Sequence, residues 1–557
     1  MTSFWEILKS SKSLKASDAF AELWGKSIAD SWDIITITGA LPLTFKAKGE
    51  ALKNYRLYGT SDGAGVETSG IEPAGYKIPL TVTSGEQSDT YPIYIGDTQL
   101  MDEEYVDYEE QKIYKYAEPL KIYGWHVDPT ISDPTQAVTY LADAVGKTPA
   151  AMGSSAFSYG DWADAFFMPK PCMLKYDGTV DYYLDPNDYT KKADGTASDI
   201  SDPNYGGNAM MEWPLIWYKF EAGTAEGEGY FYVSNKKVDS TYHCWCNYDA
   251  NDNVIPHFYT AIYNGTGTDK LRSLSGVALT SANGNGGTTG QQEVDRSIAN
   301  NTTQTVEWYT DVLSDRLLIS ALMILMSKSL DDQTAFGRGI DSGSQTAKEA
   351  YVTGSLNDRG LFWGVTSAGS SGVKIFGMEN WYGCCWHRTA GMVGTSSGYR
   401  IKLTYGTVDG STASGYSSAG TGYLAVSGRP ATNDYVSKMQ FNDKGFFPKV
   451  VGGSSSTFWA EYFYAGNGYA LFGGSSNIGL VVGSSYVDLS NWFGYFTWNI
   501  SASLSCKPLT KTTPKLDLIP TDPPVPLPEI QTYKGENTLS STETVGEVSV
   551  TGKIKEI

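Results

Sequence analysis

The most apolar run of this chain is residues 317–326 (LLISALMILM), ten residues interrupted only by Ser320. Ten residues is about half of the roughly 20 needed to cross a bilayer as a helix. The segment is therefore expected inside a protein core. Val306, Tyr309, Val312, Leu313, Leu317, Ile319 and Ala321 start at helical spacing, and the run then turns apolar all round. This predicts one buried helix over about 306–329, roughly 36 Å long at about 1.5 Å per residue.

Most other segments are short. IITITGALPLTFKAKG, YRLYG, YKIPLTVTSG, TYPIYIG and QKIYKY alternate with period two between Gly, Pro, Asp and Ser. That texture reads as a β-sandwich module over 36–125. Before it, in 1–35, Phe4, Ile7, Leu8, Phe20, Leu23 and Trp24 recur at helical spacing, and Ser17 and Asp18 suit a helix start. Short amphipathic helices rarely stand alone, so an attachment segment docked on a neighbour is expected. From 126 to 508 come aromatic-rich strands (WPLIWYKFEAG, GYFYVSN, YHCWCNYD, HFYTAIYNG), the helix, and then only short strands and Gly/Ser loops. LTSANGNGGTTGQQ reads as a flexible loop. Over 509–557, PKLDLIPTDPPVPLPEI is Pro-rich and extended. The alternating residues after it supply one or two strands, too few to fold alone, and are expected to join a neighbouring sheet.

A chain of 557 residues with 60 Gly and 38 Tyr is too long for one core, and three or four β-rich modules are expected. The net charge of −20 argues against nucleic acid and anionic membrane as partners, leaving proteins, glycans or other surface polymers. MTSFWEILKSSKSLK has no continuous apolar segment ending in a small-residue cleavage site, so synthesis and folding in a cytosol are expected. Six cysteines, Cys172, Cys244, Cys246, Cys384, Cys385 and Cys506, match neither a zinc cluster nor a disulfide framework, and buried reduced thiols are expected. His126, His243, His257 and His387 form no metal-binding pattern, so neither metal nor cofactor is expected. The acidic run DEEYVDYEE at 102–110 lacks the ligand spacing and glycine of a Ca²⁺ loop, and reads as a solvated strand end.

Residues 451–500 stand apart. They hold 13 aromatics, twice the chain average, and their only charged residues are Glu461 and Asp488. Aromatic, Ser, Gly and Asn enrichment is the composition of contact surfaces. Tyr offers area with few torsions, and Ser, Gly and Asn offer adaptable hydrogen bonds. A sandwich core filled by aromatics is the alternative, but the Gly pairs at 452 and 473 and the Ser run at 454–456 belong in loops.

The stretch YALFGGSSNIGLVVGSSYVDLSNWFGYFTWNISASLSCKP resembles the C-terminal variable region of target proteins of diversity-generating retroelements, most closely those of tailed phages of gut bacteria. The resemblance implies a C-type-lectin-like fold of the formylglycine-generating-enzyme subtype, in which adenine mutagenesis varies Asn codons. It makes Gly473, Gly474, Gly479, Leu480, Gly483, Val487, Leu489, Trp498 and Ile500 scaffold. It places Ser475, Asn477, Ile478, Val481, Ser490, Asn491, Tyr495 and Thr497 at diversified positions, with Ser485, Tyr486, Asp488, Phe493 and Phe496 as neighbours. Trp492 departs from the pattern, since Trp does not arise from a mutagenised Asn codon. TFWAEYFYAGNG resembles a second variable patch, adding Phe458, Tyr462, Phe463 and Tyr464 to the expected ligand-binding surface. The segment at 355–394, with GMENWYG, resembles the lectin-fold core, and LPLTFKAKGEALKNYRLYG resembles a β-module of phage tail proteins.

The expected fold class is mainly β with minor α: N-terminal helices, the β-sandwich module, a large C-type-lectin-like α+β domain and a Pro-rich tail. The expected function is that of a phage tail-tip adhesion protein. It would bind a bacterial surface receptor through the variable face and other tail proteins through its N-terminal region, as a homo-oligomer for which family analogy favours a trimer. The alternatives are a structural tail or baseplate component, or a bacterial surface adhesin. An enzyme is not expected. The adjacent Cys384 and Cys385, with His387 nearby, have only Arg388 to activate a thiolate, and the aromatic window offers too few carboxylates for glycan hydrolysis.

Overall fold

A computed structural model describes residues 120–249, 253–279, 288–342, 351–367, 369–403 and 423–509, together with backbone strands elsewhere. The chain divides into two units, one of Met1–Leu120 with Leu516–Ile557, the other of Lys121–Lys515. The described residues are mainly strand with few helices. The amphipathic pattern before Trp32 and the acidic run at 102–110 lie outside the described residues.

In the first unit the strands Trp32–Thr36, Thr44–Ala47, Tyr76–Ser84, Gln87–Ile95 and Tyr55–Gly59 form one sheet in that order. Its sixth strand is Gly552–Glu556, antiparallel to Tyr55–Gly59. The terminal alternating segment thus finds its sheet within its own chain.

The second unit centres on an α-helix at Leu313–Ser327, here α2, all of whose 15 residues are buried. At about 1.5 Å per residue it is about 22 Å long, shorter than the sequence pattern predicted. Val306–Thr310, expected as its first turn, is instead a strand antiparallel to Leu504–Pro508. β-Branched and aromatic side chains fit that pleated, buried setting better than a helix. Neighbours surround α2. The indole of Trp125 donates to the Ala321 carbonyl at 2.9 Å and the Tyr140 hydroxyl to Met326 at 3.2 Å. Lys328 ends the helix in the left-handed region, with φ 54°.

A second helix, α1 (Gly290–Ile298), begins where a loop was expected. Thr289 caps it and Gln292 closes a capping box on the Thr289 backbone. A short helix, α3 (Asp332–Phe336), follows α2. Three larger sheets frame the helices: seven strands ending on Leu504–Pro508 and Val306–Thr310, four strands around Ile122–Val127, and a nine-stranded sheet built from 386–501. Two of the buried charges near α2 have partners. Arg316 Nε donates to Asp311 at 2.7 Å while its guanidinium stacks 3.6 Å from the Trp381 ring, and the Ser505 hydroxyl donates to Asp315 at 3.1 Å.

Candidate functional site

The window 451–500 supplies the middle of the nine-stranded sheet. Tyr469–Gly473 lies between Trp386–Thr395 and Gly483–Asp488, and Tyr462–Tyr464 runs parallel to the latter and antiparallel to Asp434–Asn442. Period-two alternation decides which side chains face the core. Phe463, Phe472 and Val487 turn inward and join the cluster that contains α2. Leu471 and Tyr486 turn to the other face, where they form a separate cluster with Trp386 and Ile500, covered by Tyr462, Ile478 and Val481.

This alternation sorts the expected contact residues. Tyr464, Asn477, Ser490, Tyr495 and Phe496 are exposed. Phe458, Tyr462, Ile478, Val481, Ser485, Asn491 and Thr497 are half-buried. Phe463, Ser475, Tyr486, Asp488 and Phe493 are buried, which corrects their placement on a contact surface. Each has an internal role. Phe463 fills the core under the sheet, and Tyr486 packs edge-on against Trp386, with centroids 4.6 Å apart. The Ser475 hydroxyl donates to Asn477 Oδ1 at 2.8 Å and accepts from Asn499 at 3.1 Å, closing the 475–499 crossing. Asp488 accepts from the Ser490 amide at 2.6 Å and from Asn491 at 3.1 Å, which shapes the turn leaving its strand.

Phe493 is the anchor of the loop at 490–498. It packs 4.9 Å from the Tyr469 ring, in a cluster with Val294, Val312 and Val393. Its carbonyl accepts from the Gly290 amide at 2.9 Å, at the start of α1. A Cβ on Gly290 would stand 2.3 Å from the Phe493 ring, so this close approach requires glycine. Arg388 adds a second tie. One end of its guanidinium donates to Glu293 of α1 at 2.6 Å, and the other donates to the Tyr495 carbonyl. Burial pushes the Glu293 carboxyl up to about 7, while Arg388 and the Thr310 hydroxyl pull it down.

Held from below, the loop presents Trp492 (69% exposed), Phe496 (54%) and Tyr495 (41%). Leu480 (44%) and Tyr464 (37%) are the other large exposed side chains of the window. Trp492 stood outside the expected variable set, yet it is the most exposed of them. Leu480, expected as scaffold, is also on the surface. Both were visible in the sequence as apolar residues inside the Ser/Asn/Gly window. Both charged residues of the window are buried, so its exposed part carries no formal charge.

Beneath the window, Glu461 and Asp332 form a buried pair of carboxyls. Asp332 accepts from the Ser484 amide at 2.8 Å, and Glu461 Oε2 has no hydrogen-bond partner. Burial, followed by the Asp332 charge, holds the Glu461 carboxyl well above its ordinary value. Asp332 is itself raised to about 6, chiefly by burial. Two carboxyls buried side by side favour holding a proton more than either would alone in water.

All six cysteines are free and buried. The Cys385 thiol and burial push Cys384 well up, away from the thiolate that nucleophilic chemistry needs. His387 is buried and pushed well down by burial and Arg316, and its Nε2 lies 3.0 Å from the Asn380 carbonyl. Among the described residues no group of three or more His, Cys, Asp and Glu side chains is placed to hold a metal ion, and no helix is long and apolar enough to cross a membrane. No known family model matches this chain, and no curated protein matches it.

Proposed function

We propose that this protein is a receptor-binding adhesin of a phage tail tip, whose C-terminal window is the variable region of a diversity-generating retroelement target. The observation that carries the reading is the split within 451–500. Phe463, Tyr486 and Phe493 complete the core, while Trp492, Tyr495, Phe496, Tyr464 and Leu480 stand outside it without charge. Positions free to vary must contribute little to a fold only about 5–15 kcal/mol more stable than its unfolded chain. Exposed loops on a rigid sheet meet that requirement.

Binding then rests on a few aromatic anchors in each copy. A homo-oligomer, a trimer by family analogy, would repeat weak contacts across the tail tip and raise avidity by about 10²–10⁴. The N-terminal region would attach to other tail proteins, and catalysis has no part in the function.

Two experiments test the reading. The genomic neighbourhood is expected to hold a reverse-transcriptase gene and a near-copy of the 457–500 coding segment that differs at adenines. A tail particle carrying Trp492→Ser, Tyr495→Ser and Phe496→Ser is expected to lose host adsorption while remaining assembled. Normal adsorption by that particle would refute the assignment.

A further inference from the structure

Successive peptide groups pin the start of the loop at 490–498. The Asn491 carbonyl accepts from the Tyr469 amide at 2.8 Å, the Trp492 carbonyl from the Tyr495 amide at 2.9 Å, and the Phe493 carbonyl from the Gly290 amide at 2.9 Å. The Asn491 side chain donates to Asp488 at 3.1 Å and holds the entry to the loop. Phe493 is buried in its cluster, and its neighbour Trp492 faces solvent.

Trp492 thus has a fixed backbone and a side chain that is 69% exposed. The ring has a fixed place as well. A Cβ on Gly494 would stand 1.9 Å from Cζ3 of Trp492, so the six-membered ring rests against the Gly494 backbone. Any side chain at 494 moves that ring. A large apolar ring held in water by a rigid frame adds little to the fold, and such surface marks contact sites. Trp is also among the residue types that most often dominate binding energy. A ring ordered in advance avoids the entropy lost when a mobile side chain is immobilised on binding.

The same residue lies outside the reach of the diversification proposed for this window. Tryptophan is encoded by TGG alone, a codon without adenine, whereas mutagenised Asn codons reach Tyr and Phe. Tyr495 and Phe496 are exchangeable under that scheme, and Trp492 is not.

We infer that Trp492 is the constant anchor of the contact surface. It docks in every variant on an uncharged, apolar face of the receptor, and its neighbours Tyr495 and Phe496 set which receptor is preferred. The partner face is uncharged because the exposed part of the window has no formal charge to meet one. A retained hot spot gives each new combination of neighbours a starting affinity, which the exchangeable positions then raise or lower.

This inference rests on the receptor-binding reading, and its test separates the two. Tail particles carrying Trp492→Ala, Tyr495→Ala, Phe496→Ala or Gly494→Ala singly are compared with the triple serine variant for adsorption to intact host cells. Trp492→Ala is expected to slow adsorption at least about tenfold, and Tyr495→Ala and Phe496→Ala less than about threefold each. Gly494→Ala keeps the indole but displaces it, and is expected to approach Trp492→Ala. All four particles are expected to assemble with unchanged thermal unfolding. Among isolates whose 475–499 segments differ, Trp492 is expected in every one. Equal losses from the three ring variants, normal adsorption by Gly494→Ala, or another residue at 492 overturns the anchor and leaves the receptor reading standing. Normal adsorption by the triple variant removes both.

Discussion

Helix α2 and the loop at 490–498 are the two most conspicuous apolar features of the chain, and their side chains have opposite fates. Every residue of α2 is buried, and its backbone and side chains are gripped from several directions. The loop buries one ring, Phe493, and leaves Trp492, Tyr495 and Phe496 outside. The helix draws its order from hydrophobic burial, at about 1.5–3 kcal/mol for each large aliphatic side chain. The loop draws its order from a few ties at its base: the Gly290 amide on Phe493, and Arg388 between Glu293 and Tyr495. Order imposed from the base leaves the tip free to change chemistry.

The largest expected effect breaks that base. Arg388→Gln leaves the buried Glu293 carboxyl with only the Thr310 hydroxyl and no cation, and is expected to cost about 3–5 kcal/mol, read as a fall in the denaturant midpoint. If the cost were below about 1 kcal/mol, the loop would not depend on the tie. Leu318→Ala in α2 follows. A fully buried leucine leaves a cavity on truncation, and a loss of about 2–5 kcal/mol is expected in the same measurement.

Next comes the carboxyl pair under the window. The folded-state pKa of Glu461 is raised, so its contribution to stability is complete below its ordinary value and is lost as pH rises through the raised value. The groups facing it are Asp332, Asp331 and the Ser485 backbone. Glu461→Gln removes the titration. The stability of the variant relative to the parent is therefore expected to increase steadily from pH 4 to pH 8 in thermal unfolding. A constant difference across that range would mean that no proton is shared there. The smallest effect belongs to the tip. Trp492→Ser combined with Phe496→Ser is expected to move unfolding stability by no more than about 0.5 kcal/mol. A drop as large as that of Leu318→Ala would erase the contrast between the two regions.

The sequence made the fold class legible because alternation and apolar runs are local signals. The helix at 313–327 announced itself, but its start was misplaced, since VEWYT suits a helix by spacing and a strand by residue type. Only the pairing with Leu504–Pro508, almost 200 residues away, decides between them. Helix α1 carried a readable Thr289–Gln292 box inside what otherwise resembled a Gly-rich loop. Within the window, composition could not separate the rings that face solvent from those that fill the core. Phe493 and Phe496 are the same residue three positions apart, one clamped under Gly290 and one in solvent. Tyr435, Tyr462 and Tyr486 lie far apart in the linear chain, and their rings meet only through strand register.

The last strand returns to the sheet that the first strands began, so the unit of Lys121–Lys515 is spliced into the chain of the other. Two covalent connectors therefore join the units. A single protease nick in either one leaves the unit of Lys121–Lys515 tethered, and only a double cut sets it loose. The topology itself is a safety line.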